Sequence, residues 1–256
     1  MITDPEAPEL TVVGRIPSGS NMVFLCTDPG GRQWVYKPIR GERPLYDFPD
    51  GTLAAREVSS YLVSNALGWD LVPETLAVMS VGGPGMAQKW ITESESAVDP
   101  VGIFSVESVP EGFAPVVRGE DERGDDIVVA HARTERIRRI ALLDHVINNA
   151  DRKGGHLLVD TDGEIWAIDH GLALHVEPKL RTVLWGWAGD AISASDVPGL
   201  ETLAAELAGG GGLCNRLEPL LSTDEIVAIA RRVDDLLLTG TYPVPGMDYP
   251  LPWPLF

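Results

Sequence analysis

The sequence predicts an α+β fold in two lobes: a β-rich N-terminal lobe carrying one helix, followed by a mainly helical C-terminal lobe. Three observations predict it. Short runs of β-branched and aromatic residues, broken by Gly- and Pro-containing turns, dominate up to residue 93. Helical periodicity takes over from Ile127. Two acidic residues, Asp151 and Asp169, fall on short polar segments beside apolar strand-like runs. The expected organisation is 1–93 for the first lobe, 94–126 for a polar connection with a solvated loop, and 127–256 for the second lobe.

Each element has its local reason. Leu10 to Ile16, Met22 to Cys26 and Gln33 to Pro38 read as strands, separated by Pro17–Asn21 and Asp28–Gly31 as turns. A helix is expected from Thr52, as N-cap, to Leu67, with Leu53, Val58, Leu62 and Ala66 along one face and Gly68 ending it. Val72–Met79 and Met86–Ile91 read as strands around a Gly82–Gly85 turn. Ile127 to about Asn148 reads as one helix with Ile137, Ile140, Ala141, Asp144 and Ile147 on a shared face. A hairpin is expected around Thr161-Asp162-Gly163, then helices near 198–209 and 223–238 separated by a flexible Gly209–Gly212 break. The Pro-rich tail, 243–256, reads as extended and packed by its aromatics. There is no internal repeat.

Composition limits the partners. The chain has 256 residues, 44% hydrophobic and 23% charged, enough apolar material for a substantial core. The formal net charge of −18 argues against nucleic acid and anionic lipid surfaces, so stable membrane association is not expected. No apolar run has spanning length, and the first residues lack a basic region followed by an apolar one. With only Cys26 and Cys214, a disulfide framework is excluded and a cytoplasmic location is expected.

The chemistry concentrates in Asp144-His145-Val146-Ile147-Asn148-Asn149-Ala150-Asp151-Arg152-Lys153-Gly154-Gly155-His156 and in Ala167-Ile168-Asp169-His170-Gly171-Leu172-Ala173. One loop carboxylate can orient a hydroxyl nucleophile; another can hold a divalent cation on nucleotide phosphates. That is the minimal equipment for phosphoryl transfer. Upstream lie a Gly/Ser turn, a lone strand lysine (Lys37) and a helix glutamate (Glu57). Taken singly, each has a plainer explanation: a loop aspartate capping a turn, a strand-end aspartate, a solvent-facing lysine.

Together these segments resemble the phosphatidylinositol 3-/4-kinase-related superfamily, most closely the type II phosphatidylinositol 4-kinases and their bacterial relatives, with HipA-type kinases more distant. The resemblance covers roughly residues 14–92 and 140–175, and includes Tyr36-Lys37-Pro38 and Val72-Pro73-Glu74-Thr75. It implies a two-lobed protein-kinase-like fold that uses ATP with Mg2+ or Mn2+. It also implies a catalytic Asp151 supported by Asn149 and Arg152, and a metal-binding Asp169. Lys37, paired with Glu57, would hold phosphates, and Gly19 and Ser20 would form the nucleotide loop. Gln88, Trp90 and Ile91 would meet the adenine at the link between the lobes. The sequence departs from the pattern at His156, where the family has a metal-binding Asn. Imidazole suits Mn2+ or Zn2+ better than Mg2+; a structural histidine is the other reading. His170 is expected to orient the metal loop and Trp185 and Trp187 to be core. The expected reaction is transfer of the γ-phosphoryl group to a hydroxyl of a protein or small molecule. The alternatives are a nucleotide-binding regulatory module without catalysis, prompted by His156, and transfer of AMP.

Overall fold

A computed structural model describes residues 3–17, 21–246 and 249–256. The chain opens with β1 (Thr11–Arg15), β2 (Phe24–Thr27) and β3 (Gln33–Pro38), followed by α1 (Leu53–Ala66), β4 (Thr75–Ser80) and β5 (Gly83–Lys89). The strands form one antiparallel sheet in the order β1-β2-β3-β5-β4. Strand periodicity divides β3 between two faces. Trp34 and Tyr36 are buried in a small cluster with Leu10, Cys26, Val78 and Ala87. Val35 and Lys37 point the other way and line the cleft between the lobes. Gly85 lies opposite Pro38, and a Cβ there would strike the Lys37 carbonyl, so glycine permits the close approach of β5 to β3.

α1 is nearly all buried from Leu53 to Ser60, which makes it a central strut and not a surface helix. Its expected cap is corrected. Thr52 makes no cap bond and turns its hydroxyl to the Pro49 carbonyl. The Glu42 carboxylate accepts from the Leu53 and Ala54 amides instead, at 3.1 and 2.9 Å, placing a full negative charge at the positive end of the helix. Gly68, with φ of 69°, ends the helix as expected.

The stretch expected as a connection is largely ordered. β6 (Val101–Ser105), β7 (Phe113–Glu120) and β8 (Asp126–Ala132) form a second antiparallel sheet in the order β6-β8-β7. The helix expected from Ile127 is therefore two elements. Ile127 to Ala132 is strand, as its β-branched run permits. The helix, α2, covers Glu135–Val146, and the Thr134 hydroxyl caps it by accepting from the Ile137 amide. After α2 come the hairpin strands β9 (Leu157–Val159) and β10 (Ile165–Ala167), then α3 (Val197–Leu207), α4 (Gly212–Leu217) and α5 (Thr223–Thr239). The expected glycine break separates α3 from α4, which begins at its last residue, Gly212, and whose start is tied by the Glu206 carboxylate accepting from the Leu213 amide.

Two hairpins share one device. Asp28 and Asp160 each accept two amides of their own turn and then the indole N–H six residues on, Trp34 or Trp166. The glycine between, Gly31 or Gly163, takes the positive φ that the turn needs.

The main core runs from α1 through α2 to α3 and α5, and seats Ile137, Ile140, Leu143 and Ile147 together with Leu200, Leu203 and Ile229. α5 carries a complete capping box between Ser222 and Glu225. The tail is corrected in part. Trp253 and Tyr249 are exposed, so most of its aromatic surface is not packed. Backbone and Leu255 hold it: Pro250 O accepts from the Thr182 amide and the Trp185 indole, and Leu255 O accepts from the Gly154 amide. Among the described residues no helix is long and apolar enough to cross a membrane.

Candidate active site

A cleft of about 690 Å³ lies between the five-stranded sheet and the loops that follow α2 and β10. Lys37, Glu57, Asp151, His156 and Asp169 all reach it, as do Gln88, Trp90 and Ile91. Gly19 and Ser20 lie outside the described residues.

The loop after α2 is held from below. Asp144, fully buried at the end of α2, accepts from Arg152 Nε and Arg152 Nη2, each at 3.0 Å, and from Asn149 Nδ2 at 2.9 Å. Arg152 also donates to the Ile168 carbonyl at 2.8 Å and, at 2.7 Å, to His170 Nε2. Asn149 Oδ1 accepts the Asp151 amide at 3.0 Å. Arg152 and Asn149 are thus sealed beneath the cleft and touch nothing in it. Every polar group of their side chains is spent on the two loops, so they hold Asp151 and the Asp169 segment in place from below. A buried arginine is sustainable only when paired and hydrogen-bonded in this way.

Asp151 emerges from this frame partly exposed, its Oδ2 3.0 Å from Lys153 Nζ. Burial lifts its pKa above the usual carboxylate range, with Asp169 adding to the effect against the pull of Lys153. Lys153 was not anticipated as a site residue. Its signal was present: a lysine two residues after the loop aspartate, followed by two glycines.

Glu57 joins the lobes. One oxygen accepts from Lys37 Nζ at 2.6 Å and the other from the His170 amide at 2.9 Å. Lys37 Nζ also reaches Asp169 Oδ1 at 3.0 Å. Burial would lower the Lys37 pKa, but Asp169 and Glu57 outweigh it and hold the ammonium charged. Lys37 in turn holds Asp169 ionised. Glu57 is shifted upward by burial despite Lys37. Asp169 has φ of 60°, a conformation a non-glycine residue seldom adopts, and its carboxylate is half exposed to the cleft.

His156 Nε2 stands 3.5 Å from Asp169 Oδ2, and His156 Nδ1 is buried without a partner among the described residues. Burial lowers its pKa to about 4, so the ring is neutral at pH 7 and keeps a lone pair. A carboxylate and a neutral imidazole facing one space fit a divalent cation of the Mn2+ type. Among the described residues no group of three or more His, Cys, Asp or Glu forms a closed metal cage. A cation here would complete its shell with phosphate and water oxygens, as Mg2+ and Mn2+ sites commonly do.

At the other end of the cleft, Trp90 is partly exposed and Ile91 lines the wall. Gln88 donates one amide hydrogen to the Thr75 hydroxyl at 2.9 Å, which fixes its side chain in the wall. Trp187 is buried and stacks on His131, as expected of core, while Trp185 is only partly buried.

The fold is that of a kinase. The structure of the Golgi casein kinase superposes with a TM-score of 0.53 at 15% identity, covering 91% of this chain and 72% of that one. The same kinase with Mn and ADP bound gives 0.54 at 15% identity, again covering 91% and 72%. No family model matches the chain. Protein Rv2133c of Mycobacterium tuberculosis (strain ATCC 25618 / H37Rv) is 48% identical over 259 aligned positions, covering 97% of this chain and 92% of that protein. The chain belongs to the family of that protein.

Proposed function

We propose that the protein is an ATP-dependent phosphotransferase with a hydroxyl acceptor. One observation carries the reading: Lys37, Asp151 and Asp169 converge on a single cleft, with the Lys37–Glu57 pair already formed. Lys37 would bind the phosphates of the nucleotide, and Trp90 and Ile91 would flank its base. Asp151 would hold the acceptor hydroxyl in line with the γ-phosphorus. As the acceptor oxygen bonds to phosphorus and the bond to the β–γ bridging oxygen breaks, ADP leaves and the hydroxyl proton passes to the Asp151 carboxylate. The raised pKa of Asp151 suits a group that must accept a proton near neutrality. Asp169 and His156 would hold the divalent cation, which supplies charge neutralisation on the phosphates. The Mn and ADP bound by the Golgi casein kinase support this assignment.

The family resemblance at 144–156 and 167–173 supports a reading within the phosphatidylinositol-kinase-related clan. The acidic surface favours a protein hydroxyl or a soluble small molecule over a lipid acceptor or nucleic acid. The low cysteine content favours the cytoplasm.

The test is intact mass and peptide mapping after incubation with ATP and Mn2+ or Mg2+, alongside thermal shift with ADP and metal. Wild type should gain phosphate, or turn over ATP with an added hydroxyl acceptor, and should be stabilised by nucleotide. Asp151→Asn should keep the thermal shift and lose transfer; Asp169→Asn should lose both. A gain of AMP mass would replace the reading with nucleotidyl transfer. Nucleotide binding with no transfer under any metal would leave a regulatory module.

A further inference from the structure

We infer that Arg43, on the linker between β3 and α1, is a phosphate-binding residue of the cleft and holds the terminal phosphates of the nucleotide. The inference rests on the nucleotide-site reading above and adds a contact that neither loop motif supplies.

The cationic side chains lining the cleft are Lys37, Arg43, Lys89 and Lys153. Lys37 is held by two carboxylates and Lys153 by Asp151. Lys89 closes β5, next to Trp90. Neither Arg43 nor Lys89 makes an ion pair or a side-chain hydrogen bond among the described residues, and of the two Arg43 is the one on the linker next to the helix that carries Glu57. A triphosphate carries several negative charges into a protein whose own net charge is −18. Glu42, Glu57, Asp151 and Asp169 already make the cleft acidic. A guanidinium with no carboxylate attached is the group such a site needs, since it offers paired donors to phosphate oxygens.

The backbone of Arg43 is fixed even though its side chain is exposed. Its amide donates to Asn21 Oδ1 at 2.9 Å, and the Met22 amide donates to the Gly41 carbonyl at 3.1 Å. A Cβ on Gly41 would lie 2.5 Å from Met22 Cβ, so linker and hairpin are in tight contact. On its other side Glu42 caps α1. Residues 41–43 are therefore clamped between Asn21–Met22 and the helix that carries Glu57. Asn21, Met22 and Leu45 line the cleft beside Arg43. The guanidinium is tethered at the cleft edge from a rigid base, which lowers the entropy lost on binding.

The experiment measures Mn2+-supported binding of ATP, ADP and adenosine by calorimetry to wild type, Arg43→Gln, Arg43→Lys and Arg40→Gln. Arg40 is exposed, three residues away, and does not line the cleft, so it controls for loss of one charge. Arg43→Gln should weaken ATP about tenfold or more, ADP less, and adenosine not at all. Arg43→Lys should recover part of the loss, and Arg40→Gln should match wild type within about twofold. If wild type binds ATP while Arg43→Gln binds it equally well, or loses adenosine to the same degree, the assignment of Arg43 is wrong and the nucleotide site stands. If wild type binds none of the three ligands, the site reading fails and takes this inference with it.

Discussion

Arg56 on α1 and Glu225 on α5 meet at 2.5 Å across 169 positions of sequence. A second guanidinium nitrogen of Arg56 donates to the Ala173 carbonyl at 2.7 Å, just beyond the Asp169 loop, and the group lies 4.9 Å from the Phe48 ring centroid. Arg56 is the neighbour of Glu57 on the same helix, so the pair bolts the Lys37 partner to the C-terminal lobe. Removing the anion leaves a buried, uncompensated charge. Glu225→Ala should cost roughly 3 kcal/mol in urea denaturation, the low end for breaking a buried pair, with the lost capping box included. Arg56→Met, which removes the charge and keeps the stem, should cost less.

Asp144 supports more bonds than Asp151 yet never meets the cleft. Asp144→Ala should strip Arg152 and Asn149 of their acceptor and cost about 3–5 kcal/mol, enough to lower soluble yield sharply. Asp151→Asn should melt at or above the wild-type temperature, because burial already opposes the charge there. Thermal melts of the two variants side by side check this inversion; equal losses would contradict it.

His131 sets an acid limit. Its Nδ1 is bonded to the Ala132 carbonyl at 3.0 Å, and its Nε2 accepts the Gly186 amide at 2.9 Å, so the ring must be neutral. Burial first, then Arg133, lowers its pKa to about 4 from an ordinary 6.5. Between those values the unfolded chain binds the extra proton, so stability is full above about pH 6.5 and falls as pH drops toward 4. Denaturation midpoints across that window should show the fall, and His131→Gln should flatten it by about one proton's worth of slope.

Gly154 and Phe256 should couple. A Cβ on Gly154 would lie 2.5 Å from Phe256 Cε1, so Gly154→Ala must displace the ring. Because Phe256 is half exposed, the cost should be about 1 kcal/mol or less, and Phe256→Ala in the same chain should relieve it. A double-mutant cycle read by thermal denaturation checks the sign; additive losses would refute the contact.

The parts legible in the sequence were those with local grammar. Lys37 sits on a strand and Glu57 on the next helix, and both were readable from periodicity and order. Asp151 and Asp169 sat in segments whose residue pattern carried its own meaning. The hairpin at 161–163 was announced by its turn residues. What failed was non-local. Ile127 to Ala132 becomes strand because β6 and β7 flank it, and its apolar run alone fits helix equally well. Thr52 looks like a cap, but Glu42 is brought to the helix end by the path of the linker. Arg152 reads as a support of Asp151, but the partners it uses, Asp144, Ile168 and His170, come from separate segments and are visible only once assembled.

The bolt through Arg56 has a consequence for chemical probes. Compounds that gain selectivity by wedging behind a helix that can swing outward would have to break an internal ion pair to make their room. Ligands for this chain are better sought among those that accept the closed arrangement and draw their discrimination from the rim, where the tethered arginine and the half-exposed indole lie at the edges of the same opening.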